Sequence, residues 1–471
     1  MNRLPLDFFN LDRISIHQSQ HELKKVGKMQ RQKVKPELLG TYTPVRRDAI
    51  EMIKLTEGNM IPELLPLRHQ RMGVNAFTFF RGTAELMEAD LRQQNQSGIL
   101  AIICGDAHVN NYGFYASPER KLLFDLNDFD EARIGNWESD LKRLMVSIIL
   151  AGRVNGFDDD DLRKILKKVV KVYRRSVKYD YHQSLASNFY SSFEINDMMQ
   201  ELKDSADGHV SNSSFNKILN KILVKSSKSN SETITNKMTK LDKNGKRVFV
   251  DNPPRARHVT PHIYQEIVNG YYSYRSQVRS DVRVFLANFN ISDIIRYSVG
   301  VGSFGTRCYL MLLTGVDGSH LVLQIKESMP LRYNLLSLPI VEAVKRSRNA
   351  GERIVTAQKV LQSASDPFLG STRFGNRSYY IRQFRDMKES INTAKLDLDG
   401  FALYTETCAL LLAKAHFQSP TAPIIYGYVK GQKQLDSALT DWCFEYAKQV
   451  NIDFQRFKDA LNPKTQQLEI N

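Results

Sequence analysis

The sequence predicts an α+β fold in which an antiparallel, β-rich block lies between two helix-rich blocks. Three observations carry this. Residues 294–327 (IIRYSVGVGSFGTRCYLMLLTGVDGSHLVLQIKE) alternate apolar and β-branched runs with glycine turns, the pattern of three antiparallel strands. WESDLKRLMVSIILAGR, beginning at Trp137, and FALYTETCALLLAKAHF, beginning at Phe401, are apolar at helical spacing. The chain has 471 residues, 42% of them hydrophobic and 10% aromatic, which supports two or three lobes and excludes wholesale disorder.

Sixty-six basic residues against 51 acidic ones give a net charge of +15, which favours anionic partners such as a nucleotide, a phosphorylated metabolite or nucleic acid. The four cysteines (Cys104, Cys308, Cys408, Cys443) are far apart and form no CxxC or His/Cys cluster, so neither a disulfide scaffold nor a structural zinc site is expected. MNRLPLDFFNLDRIS lacks an apolar core and no run approaches 18 apolar residues. No signal peptide and no membrane span are expected, and the cytoplasm is the expected location.

In chain order, residues 1–70 read as a helical or extended arm with a basic strip at 24–35. Residues 71–202 read as a helical lobe. It holds two short strands, GILAIICGDAH and KLLFDLNDFDEA, each closed by acidic residues, then the helix from Trp137. An amphipathic helix at 163–178 places Leu166, Val169, Val170, Tyr173 and Val177 on one face and eight basic residues over the rest. Residues 203–257 are a polar insert, rich in Ser, Asn and Lys, ending in a hairpin with Asn244-Gly245 at its turn. The helical lobe continues over 258–290. The β-rich lobe spans 291–388, with a helix near 339–363 and two further strands around DPFLGST and SYYIRQF. Residues 389–471 return to helix.

Three segments carry chemistry. In Gly105-Asp106-Ala107-His108-Val109-Asn110-Asn111, Asp106 can orient a hydroxyl and accept its proton, while Asn111, five residues on, can reach back to a divalent ion. Asp125-Leu126-Asn127-Asp128-Phe129-Asp130-Glu131 holds five potential oxygen ligands in seven residues. Mg²⁺ needs only one or two, because it keeps waters and takes substrate phosphates. Gly300-Val301-Gly302-Ser303-Phe304-Gly305 lies between two strands, unlike a dinucleotide-binding turn, and resembles the glycine-rich hairpin that covers ATP phosphates. Lys326, on the third strand, is placed to meet phosphate charge.

These are the parts of a kinase-like phosphotransferase in an unusual order. Base and metal acid precede glycine loop and lysine, and circular permutation is the simplest account. The chain resembles the bacterial DUF2252 family, placed among the protein-kinase-like folds. The resemblance rests on FFRG (79–82), CGDAHVNNYG (104–113), FDLNDFDEARIGNWESDLKRL (124–144), the glycine hairpin with QIKE, GERIV (351–355), YYIRQF (379–384) and LLAKAHF (411–417). Its catalytic segment is most similar to aminoglycoside and choline phosphotransferases. The resemblance implies a circularly permuted protein-kinase-like fold with a β-rich small lobe and a helical large lobe. It further implies Asp106 as catalytic base, Asn111 and Asp128 as metal ligands, and Asp140 as a buried acid supporting the base loop. The helix at 401–417 should lead in space to the strand before Asp106. Cys104 stands where that pattern has histidine. Asp125 is the alternative to Asp128, and Glu342 the alternative to Glu352 as the acid paired with Lys326. Arg81 belongs to a family motif and is open between binding phosphate and pairing with a carboxylate.

The expected function is therefore ATP–Mg²⁺-dependent phosphotransfer to an unknown hydroxyl, on a small molecule or a protein. Gly300, Gly302, Ser303, Phe304, Gly305, Lys326 and Glu352 would bind the nucleotide. A nucleotide-binding pseudokinase and an AMP transferase on the same fold are the alternatives. Nucleic-acid binding through the strips at 24–35 and 163–178 is a lesser one.

Overall fold

The computed structural model describes residues 18–192, 218–219, 221–222, 231–298, 304–337, 349–384 and 389–461. Its largest sheet is antiparallel and six-stranded, in the order β11 (Gly370–Phe374), β12 (Arg377–Gln383), β10 (His320–Glu327), β9 (Cys308–Gly315), β8 (Phe289–Tyr297), β7 (Ala256–His258). The strands expected across 294–327 are β8, β9 and β10, and the two further strands are β11 and β12.

Strand alternation gives this sheet two different faces. Ile294, Met311, Leu323, Ile325 and Ile381 point to one side, where they pack with Ile267, Tyr271 and Tyr274 of a helix at Pro261–Gln277 and with Val282 and Leu286 of another at Ser280–Leu286. Ile295, Leu310, Leu312, Val322 and Phe384 form the opposite face. Lys326 lies four residues after Val322, so it shares that second face, in register with Cys308 and Tyr380 on its neighbours. The helix expected near 339–363 is seen as Ala350–Leu361; its earlier part lies outside the described residues.

The helical part is built around Trp137–Val154, in which every residue from Trp137 to Gly152 is buried. A helix that is covered on all sides belongs at the centre. Around it lie the helices Asp159–Tyr181, Leu398–Phe417, Ala422–Val429 and Gln434–Ala460. Leu166, Val169, Val170, Tyr173 and Val177 are buried as expected. Part of the basic face of that helix is taken up by acids of its neighbours. Arg174 pairs with Asp436 at 2.6 Å, Lys168 with Glu406 at 2.8 Å and Arg163 with Asp441 at 2.8 Å.

The first 70 residues, where described, form no appended arm. Leu39 and Ile53 belong to the main core, as does Met72 just beyond. The helix Gln20–Lys33 crosses Ala422–Val429 so closely that a Cβ on Gly27 or Gly427 would strike the other helix's backbone. Most of the polar insert lies outside the described residues; its hairpin pairs Thr239–Leu241 with Arg247–Phe249, and Gly245 at the turn has φ +76°. No helix among the described residues is long and apolar enough to cross a membrane.

Candidate functional site

Two small antiparallel pairs set up the site. β1 (Leu100–Ile103) pairs with β4 (Arg133–Asn136), and β2 (Tyr112–Ala116) pairs with β3 (Leu122–Leu126). The loop 104–111 leaves β1, and the loop 127–132 leaves β3. The two meet because Asn111 joins them: its Nδ2 donates to the carbonyls of Asp106 and Asp128, both at 2.9 Å, and its Oδ1 accepts from the Asp128 N–H at 2.8 Å. The Cys104 thiol adds a bond to the Asp128 carbonyl at 3.2 Å, so the residue standing in place of histidine still ties one loop to the other.

Asp140, buried in the helix Trp137–Val154, holds the start of the loop 104–111. Its two carboxylate oxygens accept the Cys104 and Gly105 N–H groups at 2.7 and 2.8 Å. His416, near the end of the helix Leu398–Phe417, lies 3.3 Å from the same carboxylate. Beyond that helix Ser419 Oγ accepts the Ile102 N–H, and Thr421 donates to the Leu100 carbonyl, both from the other end of the chain. The helix at 401–417 does lead to the strand before Asp106.

Asp106 receives Arg143 Nε at 2.8 Å, and His108 Nε2 is 3.9 Å from its other oxygen. Burial alone would raise the Asp106 carboxyl, but the charges of Arg143, His108 and Arg332 outweigh it and hold the group below its ordinary value. Burial pushes His108 down to about 4, so the imidazole is neutral at pH 7.

Lys326 crosses from the sheet to the second loop. Its Nζ is 2.5 Å from Asp130 and 3.6 Å from Asp128. Burial would lower this ammonium, yet Asp128 and Asp130 raise it well above its ordinary value. Asp130 is itself raised, by burial first and then by Asp128. The carboxylate facing Lys326 is thus Asp130, and the pairing with Glu352 fails. Glu352 is raised by burial, feels Arg373 and has an Oε2 without a hydrogen-bond partner. It projects from a helix whose Arg353, one residue on, turns instead to the carbonyls of Ala132 and Asp130. Glu342 lies outside the described residues.

The register choice between Asp125 and Asp128 has a geometric counterpart. Asp125 is buried and accepts the Ser363 N–H and hydroxyl at 2.9 and 2.8 Å, whereas the Asp128 side chain is 46% exposed beside Lys326. Among the described residues no group of three or more His, Cys, Asp or Glu is arranged to hold a metal. Mg²⁺ asks for less. Asp128 offers an exposed carboxylate, Asp130 Oδ1 is buried with no partner, and Asn111 Oδ1 keeps a free lone pair, so the donor set fits this ion.

Gly300, Gly302 and Ser303 lie outside the described residues. Phe304 is buried, with Arg71 4.2 Å from its ring centre, and its carbonyl accepts from Arg68. Gly305 has φ +107°, a region that favours glycine, and its carbonyl accepts the Ile61 N–H at 2.8 Å. The distal end of the glycine hairpin therefore docks on residues 61–71.

A cavity of about 740 Å³ is lined by Asn127, Gln324 and Arg382; Gln324 is two residues from Lys326 on the same strand, and none of the expected site residues lines it. A larger one, about 810 Å³, is lined by Lys121, Lys359 and Asp366 and holds none of the expected site residues. Sequence reasoning counted Asp130 among the acidic-loop oxygens but not as the partner of Lys326, and it gave no role to Arg143, Arg332, Arg353 or Arg382. Arg143 had a signal: it follows Asp140 by one helical turn and so reaches the same loop.

A buried-lysine sheet set against a pair of acidic loops defines the class of this molecule: an α+β protein whose polar cleft joins its β-rich and helical parts. The family model described as "Uncharacterized protein conserved in bacteria (DUF2252)" matches residues 60–460, and the chain belongs to that family. No curated protein and no solved structure matches the chain.

Proposed function

We propose that this chain is an ATP–Mg²⁺-dependent phosphotransferase on a circularly permuted kinase-like fold, acting on a hydroxyl acceptor. One observation carries the reading. Lys326, on the third strand after the start of the β-rich lobe, meets the acidic loop at Asp130 and Asp128, although Lys326 and Asp130 are 196 positions apart in sequence. A lysine on that strand, a glycine hairpin before it and a base loop beside a metal acid are the recurring parts of a kinase site. The neighbouring cavity gives room for a nucleotide.

In this reading Lys326 binds phosphate oxygens, and Asn111 and Asp128 hold the metal with Asp130 close by. Bound Mg²⁺ would offset negative charge on the transferred group. Asp106, fixed by Arg143, orients the acceptor hydroxyl. Its lowered proton affinity makes it a weak base, so its work is alignment first and proton acceptance as the hydroxyl reacts.

The test is to incubate the protein with ATP, Mg²⁺ and a panel of alcohols and to separate the nucleotide products. ADP is expected; AMP-transfer with pyrophosphate release would replace phosphotransfer by the nucleotidyl reading. Asp106→Ala should lower turnover by about 10²–10⁴-fold while ATP affinity is retained. If ATP binds and this variant turns over as fast as wild type, the chain is a nucleotide-binding pseudoenzyme. Failure of wild type to bind ATP would reduce the glycine hairpin to an ordinary β-turn.

A further inference from the structure

Charges in the cleft are nearly all accounted for. Lys326 faces Asp128 and Asp130, Arg332 pairs with Glu131 and Glu85, and Arg133 pairs with Glu88. Arg353 and Arg382 donate to carbonyls and to the Gln324 amide. Arg81 is different. Among the described residues no carboxylate lies within ion-pair distance of it, although the Asp106 charge acts on it from further off; its Nε is buried without a hydrogen bond, and its Cζ is 5.7 Å from the centre of the Phe77 ring.

A second guanidinium nitrogen close by shares this condition. Arg143 spends Nε on Asp106 and Nη2 on the Phe80 carbonyl, but its Nη1 is buried and unpartnered on a side chain only 3% exposed. His108, neutral at pH 7, turns Nε2 towards Asp106, so its Nδ1 is an acceptor and adds no donor here. Arg81, Arg143, His108 and Asp106 are near enough for their charges to act on one another. A buried cationic nitrogen without an acceptor carries a desolvation cost that an anion would relieve. Guanidinium groups match carboxylate and phosphate oxygens in geometry.

We propose that Arg81 and Arg143 form an anion-binding subsite beside Asp106, which receives a carboxylate or phosphate group carried by the acceptor. The acceptor is then an acidic alcohol rather than a cationic one. This rests on the phosphotransferase reading for the word acceptor, while the subsite itself stands on the unpartnered donors.

The experiment titrates wild type and Arg81→Gln with inorganic phosphate, and separately with acetate, by calorimetry; each protein is also titrated with ATP–Mg²⁺. Wild type should bind at least one of the two anions, and the anion that binds identifies the group. Arg81→Gln should weaken that binding by about tenfold or more, with ATP affinity changed by less than about threefold. Equal anion affinity in both proteins, or no anion binding to wild type, overturns the subsite. A parallel loss of ATP affinity also overturns it, assigning Arg81 to the nucleotide. If wild type binds no ATP but Arg81→Gln still loses the anion, the subsite stands and the phosphotransferase reading falls. Should Arg81→Gln not fold, Arg81→Lys keeps the charge without the planar fork, and its weaker anion binding serves as the same test.

Discussion

The two halves of the cleft are held in opposite ways. In the helical half, the loop 104–111 is fixed by the protein's own buried groups. Asp140 takes two of its N–H groups, Ser147 takes the Val109 N–H, Tyr404 donates to the Val109 carbonyl, and Asn111 spans to the next loop. In the sheet half, Lys326 pairs, among the described residues, with no acid of its own sheet, because Glu327 beside it is taken by Arg307 and Arg377, and its counter-charges come from across the cleft. The backbone of the first loop is held without a ligand. The sheet half borrows carboxylates for which a metal and phosphates would compete. Substitutions of the buried groups that hold the first loop should therefore register as lost stability, and those of the carboxylates facing Lys326 as lost ligand binding.

Asp140→Ala probes the first half and should have the largest effect. It strands two buried N–H groups and removes the carboxylate beside His416. Orphaned buried groups cost about 1–3 kcal/mol each, so a loss on the order of 3–5 kcal/mol is expected in urea unfolding. A loss under about 1 kcal/mol would mean that the loop does not depend on this acid, and the contrast would break.

Asp128→Asn probes the second half. An amide is a poorer ligand for a hard cation, so Mg²⁺-dependent nucleotide affinity should fall by about tenfold, or about 1.4 kcal/mol. The midpoint of unfolding without ligand should stay close to that of wild type, because this side chain is half-exposed. Asp125→Asn is the control: it should leave Mg²⁺-dependent affinity alone and cost stability through Ser363. The reverse pattern would move the metal acid three residues upstream.

This contrast also explains what was legible in the sequence. Asp106, Asn111 and Asp128 were legible as candidates because they lie in short acidic loops that follow strands, whereas Asp140, on the helix Trp137–Val154, came only through the family resemblance. The strands from 289 to 327 were legible from alternation and glycine turns. The acid facing Lys326 was not, because an ion pair across 196 positions leaves no local spacing to read, and helical context pointed to Glu352 instead of Asp130. The place of residues 20–72 was hidden for a similar reason. Their basic composition reads as a solvated strip, yet Arg31 donates to the carbonyls of Tyr428 and Lys430, at the end of a distant helix. Arg81 was legible as a motif member only; that it lacks an acid is a property of its surroundings.

The smallest expected effect lies where the two halves join. Glu57 is buried and accepts from Arg68 Nε and lies within hydrogen-bond reach of His69 Nε2, both at 2.8 Å. Arg68, fully buried, also donates to the carbonyls of Gly82 and Phe304, so this acid braces the guanidinium on which the glycine hairpin's end rests. Burial would raise the Glu57 carboxyl, but the His69 hydrogen bond and the Arg68 charge outweigh it and hold the group below its ordinary value of 4.5. A depressed carboxyl binds fewer protons in the folded state than in the unfolded chain. Its contribution is therefore present above the ordinary value and is lost as pH falls through the folded one. Glu57→Gln keeps one acceptor oxygen and removes the charge, so about 1 kcal/mol should be lost at pH 7. The gap between variant and wild type should then narrow as pH falls below about 4.5. Unfolding curves at pH 7, 5 and 3.5 check this directly. A gap that is constant with pH would show that Glu57 acts by shape alone, and that its charge adds nothing to the junction.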